Sequence, residues 1–262
     1  MKKLSYLIPV FVCLAFLFST SVEASGFGWG YTRNNEHKVP EVGKYKEILE
    51  KNGAYYADHS GDKDIYLTFD NGYEQGHTAD ILDVLKEEKV PATFFVTGHY
   101  VKDRPDLVKR MAKEGHIIGN HSYHHPDFTV ISKTTIKKEL DELEASVAKI
   151  TDQKELQYLR PPRGTFSQKT LQWTKELGYT HVFWSLAFAD WKTDQQKGGA
   201  YAHKEIMSQL HPGAVILLHT VSSDNAEALK QVITDAKKQG YTFKSLDDLM
   251  LKTILPKGAA GL

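Results

Sequence analysis

From Ile65 onward, short apolar runs alternate with stretches whose apolar residues recur at helical spacing. Ile65–Phe69, dense in β-branched and aromatic residues, reads as a buried strand. Thr78–Glu88, with Ile81, Leu82 and Leu85 on one face, reads as a helix. The alternation continues with a strand at Ala92–Val96, a helix at Pro105–Glu114 opened by proline, and a short strand at Ile117–Gly119. A long helix, Thr134–Ile150, follows the capping residue Ser132 and carries Ile136, Leu140, Leu143 and Val147 along one stripe. Leu156–Leu159 predicts a strand, and Ser167 caps a helix that stops at Gly178. Then come strand Thr180–Leu186, helix Ala202–Leu210, strand Ala214–Leu218, helix Asn225–Gln239, strand Tyr241–Lys244 and a short final helix. Strands joined by helical crossovers imply a parallel sheet, either open and doubly wound or closed into a barrel. An open sheet gathers its reactive groups at one switch point. Here polar groups follow at least five different strands, so the expected fold is α/β, a (β/α) barrel in a single domain.

The chain before Ile65 follows a different pattern. Ser25–Asp64 is polar, with Gly26, Gly28 and Gly30 around Phe27 and Trp29, and predicts an extended lead-in that wraps the domain, with one short helix near Val42–Asn52. The N-terminus has the build of an export signal: Lys2 and Lys3, a mostly apolar Leu4–Phe18, and small residues around a cleavage point after Ala24. An uncleaved signal anchor is the alternative, and both imply an exported domain that is secreted or retained at the cell wall. The expected division is a signal peptide over 1–24, a wrapping segment over 25–62, a catalytic domain over 63–250 and a tail over 251–262.

Composition narrows the function. The 33 basic and 33 acidic residues balance, and no Lys/Arg block stands out, so no nucleic-acid partner is indicated. No protein partner is evident either, and a monomer is expected. The one cysteine, Cys13, lies in the signal, leaving an exported domain without thiols or disulfides. The 13 Tyr, 12 Phe and 4 Trp are ample for a sugar-binding groove, although core packing accounts for most of them.

The polar groups at the strand ends carry the candidate chemistry. Asp70 and Asn71 close the first barrel strand, ahead of Gly72. His121 and His125 follow the strand Ile117–Gly119, and an i, i+4 pair on a helical turn suits a divalent metal. His124, between them, is expected to face solvent. Arg160-Pro161-Pro162-Arg163-Gly164 is a loop stiffened by two prolines, with guanidiniums able to fix a carboxylate. Asp190-Trp191 follows the next strand, and His219 ends the apolar run Val215–Leu218. Taken singly, each has an ordinary reading as a surface cluster, a turn or a structural histidine.

In this order the residues resemble the polysaccharide deacetylases (NodB-homology, carbohydrate esterase family 4) from about Lys63 to Leu249. Thr68-Phe69-Asp70-Asn71-Gly72 is similar to the first family motif and His121-Ser122-x-x-His125 to the second. Arg160–Gly164 is similar to the third, Asp190-Trp191 to the fourth and Leu217-Leu218-His219 to the fifth. The resemblance implies a distorted seven- or eight-stranded NodB-type barrel. It also implies a divalent metal, zinc foremost, on His121 and His125, polarising an acetamide carbonyl and activating a water. Asp70 would be the general base and His219 the acid for the departing amine, tuned by Asp190. Arg160 would orient a carboxylate, a backbone N–H near Arg163 would hold the oxyanion, and Trp191 would join the substrate groove.

Two positions depart from the pattern. Asn71 stands where the family has a second, metal-ligating aspartate, and Arg163 stands where it has an aromatic residue. With Gly72-Tyr73-Glu74 they resemble the spore-cortex branch, which deacetylates N-acetylmuramic acid in peptidoglycan glycan strands on the way to muramic δ-lactam. Arg163 would then meet the lactyl carboxylate. The alternatives are an N-acetylglucosamine deacetylase acting on peptidoglycan or chitin-like oligomers, and a non-catalytic glycan-binding protein on the same fold.

Overall fold

A computed structural model describes residues 26–254; the proposed signal, with Cys13, lies outside them. The elements run β1 (Phe27–Gly28), α1 (Tyr45–Asn52), β2 (Asp64–Asn71), α2 (Thr78–Glu88), β3 (Ala92–Val96), α3 (Gly98–Asp103), α4 (Pro105–Lys113), β4 (Ile117–Asn120) and α5 (Lys133–Ala148). Then follow β5 (Tyr158–Leu159), β6 (Thr165–Phe166), α6 (Gln168–Glu176), β7 (Thr180–His181), α7 (Gly199–Gln209), β8 (Val215–His219), α8 (Ser223–Lys238), β9 (Thr242–Phe243) and α9 (Leu246–Ile254).

Seven of the strands form one parallel sheet in the order β7-β5-β4-β3-β2-β8, with β9 also paired to β2. The predicted strand Thr180–Leu186 is cut to Thr180–His181, where its partner β5 ends, and farther on the N–H groups of Ser185 and Leu186 both donate to Val215 O, at 3.0 and 3.3 Å. Two residues facing one make a bulge that bends the chain. Beyond it Leu186 bridges Ile216, so the end of the sheet curls back onto β8. The lead-in fills the seam, where Tyr55 bridges Val182 and Ala57 bridges Ala214. The result is a distorted barrel.

The period of two along β2 sorts its side chains. Ile65, Leu67 and Phe69 pack outward beneath the helices, with Ile81, Leu85 and Phe94. Tyr66 points inward with Phe95, Tyr158, Val182 and Val215, and Leu246 and Leu249 of α9 plug that interior. Thr68 and Asp70 continue the inward line toward the C-terminal mouth, where parallel barrels keep their chemistry.

α9 runs to Ile254, past the boundary at 250 expected for a tail. It is held by Lys252, whose Nζ lies 3.1, 2.9 and 2.5 Å from carboxylate oxygens of Asp58, Asp62 and Asp64.

Candidate active site

Asp70 reaches the mouth from β2 and lies beside His219 of β8 in the strand register. Its Oδ1 accepts a hydrogen bond from Arg160 Nη1 at 2.7 Å. Arg160 is wholly buried: Nη2 donates to Thr68 Oγ1 at 2.8 Å, Nε donates to Val182 O at 3.0 Å, and the guanidinium lies 4.2 Å from the Phe95 ring centroid. The arginine therefore orients Asp70 and does not reach a substrate. Burial pushes the Asp70 carboxyl up, but the charges of Arg160, His121 and His219 outweigh it and hold the group below the usual carboxylate range.

His121 emerges from β4, and its Nδ1 donates to Arg160 O at 2.8 Å. That bond fixes the tautomer and leaves the Nε2 lone pair free, 3.2 Å from His125 Nε2 and 3.5 Å from Asp70 Oδ2. Burial depresses the basicity of both imidazoles; in His125 the neighbouring His121 adds to it and brings the pKa to about 4. The pair does not sit on a helical turn, as its spacing predicted. Ser122 and His125 are left-handed, at φ 62° and 59°, in a tight loop where Ser122 Oγ accepts from His125 N at 2.9 Å. Side chains four residues apart meet here through a knot of turns. Arg163 is also left-handed at φ 60°. Three of the five such non-glycine residues among those described thus flank the site, each costing about 1–3 kcal/mol, as expected where geometry is imposed for function.

His219 Nδ1 donates to Asp190 Oδ1 at 2.7 Å, and its backbone N–H donates to Asp190 Oδ2 at 2.8 Å. Burial pulls the imidazole's pKa down, but the charge and hydrogen bond of Asp190, with the Asp70 charge, carry it above its ordinary value. Asp190 is 2 % exposed and also accepts from Asn225 Nδ2 at 2.6 Å, so it holds His219 and does not face substrate. Asn225 escaped the sequence reading, because its burial in the first turn of α8 shows only in the structure.

Asp70, His121, His125, His219 and Trp191 line one cavity of about 630 Å³. Trp191 is 49 % exposed, with its ring 5.7 Å from that of His219. Arg163 is exposed and lies outside the lining. So does Asn71, which one step along β2 turns to the opposite face from Asp70: its Nδ2 donates to Thr220 Oγ1 at 2.7 Å, while its Oδ1 is buried without a partner.

No cluster of three or more His, Cys, Asp or Glu side chains suited to a metal exists among the described residues. The two free Nε2 atoms do fit a shared divalent ion. Ligand bonds of about 2.0–2.1 Å in tetrahedral array put two nitrogens about 3.3 Å apart. The donor set is therefore two nitrogens, with the Asp70 carboxylate 3.5 Å from His121 Nε2 as the nearby anion.

The polysaccharide deacetylase family model matches residues 57–182. The chain is 57 % identical over 225 residues to the peptidoglycan-N-acetylmuramic acid deacetylase PdaA of Bacillus subtilis, covering 86 % of each chain. The chain belongs to the polysaccharide deacetylase family. The PdaA structure, a family 4 carbohydrate esterase, superposes on this deacetylase with a TM-score of 0.85 at 56 % identity, over 87 % of this chain and 98 % of that one. A family 4 carbohydrate esterase from Bacillus anthracis matches with a TM-score of 0.73 at 51 % identity, over 87 % and 97 %. A chitooligosaccharide deacetylase of Rhizobium leguminosarum is 34 % identical over 71 % of this chain and 92 % of its own.

Proposed function

We propose that this deacetylase is an exported enzyme that removes acetyl groups from N-acetylmuramic acid in peptidoglycan glycan strands, with a sporulation role in the cortex. The 57 % identity to an enzyme named for that substrate supports the sugar. The chemistry is supported above all by one observation: a buried carboxylate paired with Arg160 and an imidazole paired with Asp190 face one cavity from adjacent strands.

Asp70 accepts a proton from the water that attacks the acetamide carbonyl. His219 gives its proton to the nitrogen as the C–N bond breaks, so acetate and a free amine leave, and the proton taken by Asp70 restores His219. Asp190, itself held by Asn225, keeps the imidazole aimed and favours its charged form before the proton is transferred. The backbone N–H of Arg163, in the loop stiffened by Pro161 and Pro162, serves the oxyanion. Trp191 shields the His219 side of the cavity. His121 and His125 would hold a divalent ion, zinc suiting imidazole nitrogen, which would supply Lewis-acid polarisation of the carbonyl. Two neutral imidazoles alone would hold such an ion weakly.

Acetate release from peptide-stripped glycan strands, resolved by sugar and measured with and without chelator, tests this reading. The wild type is expected to deacetylate muramic acid residues, and Asp70→Asn to lower the rate by about 10²–10⁴-fold. Acetate released only from N-acetylglucosamine would overturn the assigned sugar, and release undiminished in Asp70→Asn would overturn the mechanism.

A further inference from the structure

α3 is absent from the sequence pattern, yet it is tied to both loops that carry the chemistry. Thr97, its N-cap, donates from its N–H to Asn71 O at 3.1 Å and from its hydroxyl to Gly72 O at 3.2 Å, just beyond Asp70. Gly98 N donates to Tyr123 O at 3.0 Å, within the His121–His125 loop. A β-carbon at Gly98 would overlap the Tyr123 ring, so glycine is what lets helix and loop close together. Tyr100 completes the anchorage, its hydroxyl 2.8 Å from Glu74 Oε2.

The last turn of this fixed helix carries Lys102, which lines the cavity. Lys102 is the one lysine or arginine in that lining, and it makes no ion pair among the described residues. The one acidic residue in the lining, Asp70, already faces Arg160. A cation on a rigid element, exposed to the cavity and without a protein counter-charge, favours an anionic ligand. The side chain of Arg163, the cation expected from the sequence to read the substrate's acid group, is exposed and absent from that lining, although its charge acts on His125.

We propose that Lys102 is a specificity-determining residue that pairs with the lactyl carboxylate of the reacting muramic acid unit. This deepens the functional reading above and rests on it. The lactyl ether stands on the sugar carbon next to the one bearing the acetamide. A carboxylate there lies within a few bonds of the reacting carbonyl, within the span of one cavity.

The test compares three substrates: glycan strands with free lactyl carboxylates, the same strands with those carboxylates converted to methylamides, and chitooligosaccharides. The wild type should prefer the acid over the amide by about tenfold in kcat/KM, as befits one charge-assisted contact. Lys102→Met should erase that preference by raising KM on the acid about tenfold, leaving kcat and the amide rate unchanged. Lys102→Arg should restore it. Equal losses on acid and amide, no change in Lys102→Met, or loss of the preference in Arg163→Met alone would each overturn the proposal. A wild type silent on both muramic acid substrates but active on chitooligosaccharides would overturn the functional reading, and this substrate contact with it. A wild type active on the acid with an indifferent Lys102→Met would overturn the contact alone.

Discussion

Two charged pairs set the character of the site. Asp70–Arg160 is buried on both sides, whereas His219–Asp190 is buried only on the carboxylate side and opens to the cavity through the imidazole. His219 keeps its proton to a higher pH than a free histidine, and its role as an acid is lost as pH rises through that raised pKa. Asp190→Asn keeps the shape and removes the charge, so burial then dominates and the imidazole loses its proton earlier. The alkaline limb of the kcat profile should move toward acid, with the rate below the limb much less affected. An unmoved limb would show that another group sets it. Asp70 and His219 were legible at this scale because each closes an apolar run, and His121 and His125 because their spacing pairs them just after one. Asn71, which the motif sets at the family's metal-ligand place, has its amide on Thr220 instead, because an alternating strand sends neighbours to opposite sides and a motif does not show the face.

Among the elements, the strongly periodic ones were legible: α2 and β3 have the bounds expected, and α5 and α8 differ by a residue or two. α3 was not. It is six residues long with one glycine, and it exists through its anchors rather than its propensity. The histidine loop is of the same kind. Between its two left-handed residues, His124 is held by a partner remote in sequence, Glu139 of α5, which is 8 % exposed. Glu139 accepts from His124 N at 2.6 Å and from His124 Nδ1 at 2.8 Å. His124 itself stays largely in solvent, so the clamp acts on the loop and not on a ligand. Glu139→Ala should loosen the approach of His121 to His125 and weaken divalent-ion affinity about 10–100-fold, read by competition with a chromophoric chelator. Retained affinity with a lowered melting temperature would make Glu139 a stabilising residue only.

Over the whole molecule, the lead-in packs into the barrel and shares its core, although composition divided them near residue 62. Phe27, Trp29 and Tyr45 share a cluster with Phe166, Leu171 and Phe183. Trp29 is central: its ring centroid lies 4.8 Å from that of Phe183, and its indole N–H donates to Trp184 O at 3.0 Å. Its backbone N–H donates to Gly164 O at 2.8 Å, which ties the wrap to the loop that carries Arg163. Such a wrap could not be placed from sequence, because glycine-spaced aromatics have neither helical nor strand period and find their partners more than a hundred residues away. Trp29→Ala should cost about 3 kcal/mol, the lower end for a truncated aromatic because the ring is only half-buried. The urea midpoint should fall in one transition, with kcat falling too as the Arg163 loop loses its backing. If stability drops while kcat holds, the wrap closes the barrel seam without supporting the oxyanion loop; two separate transitions would mean that lead-in and barrel fold apart.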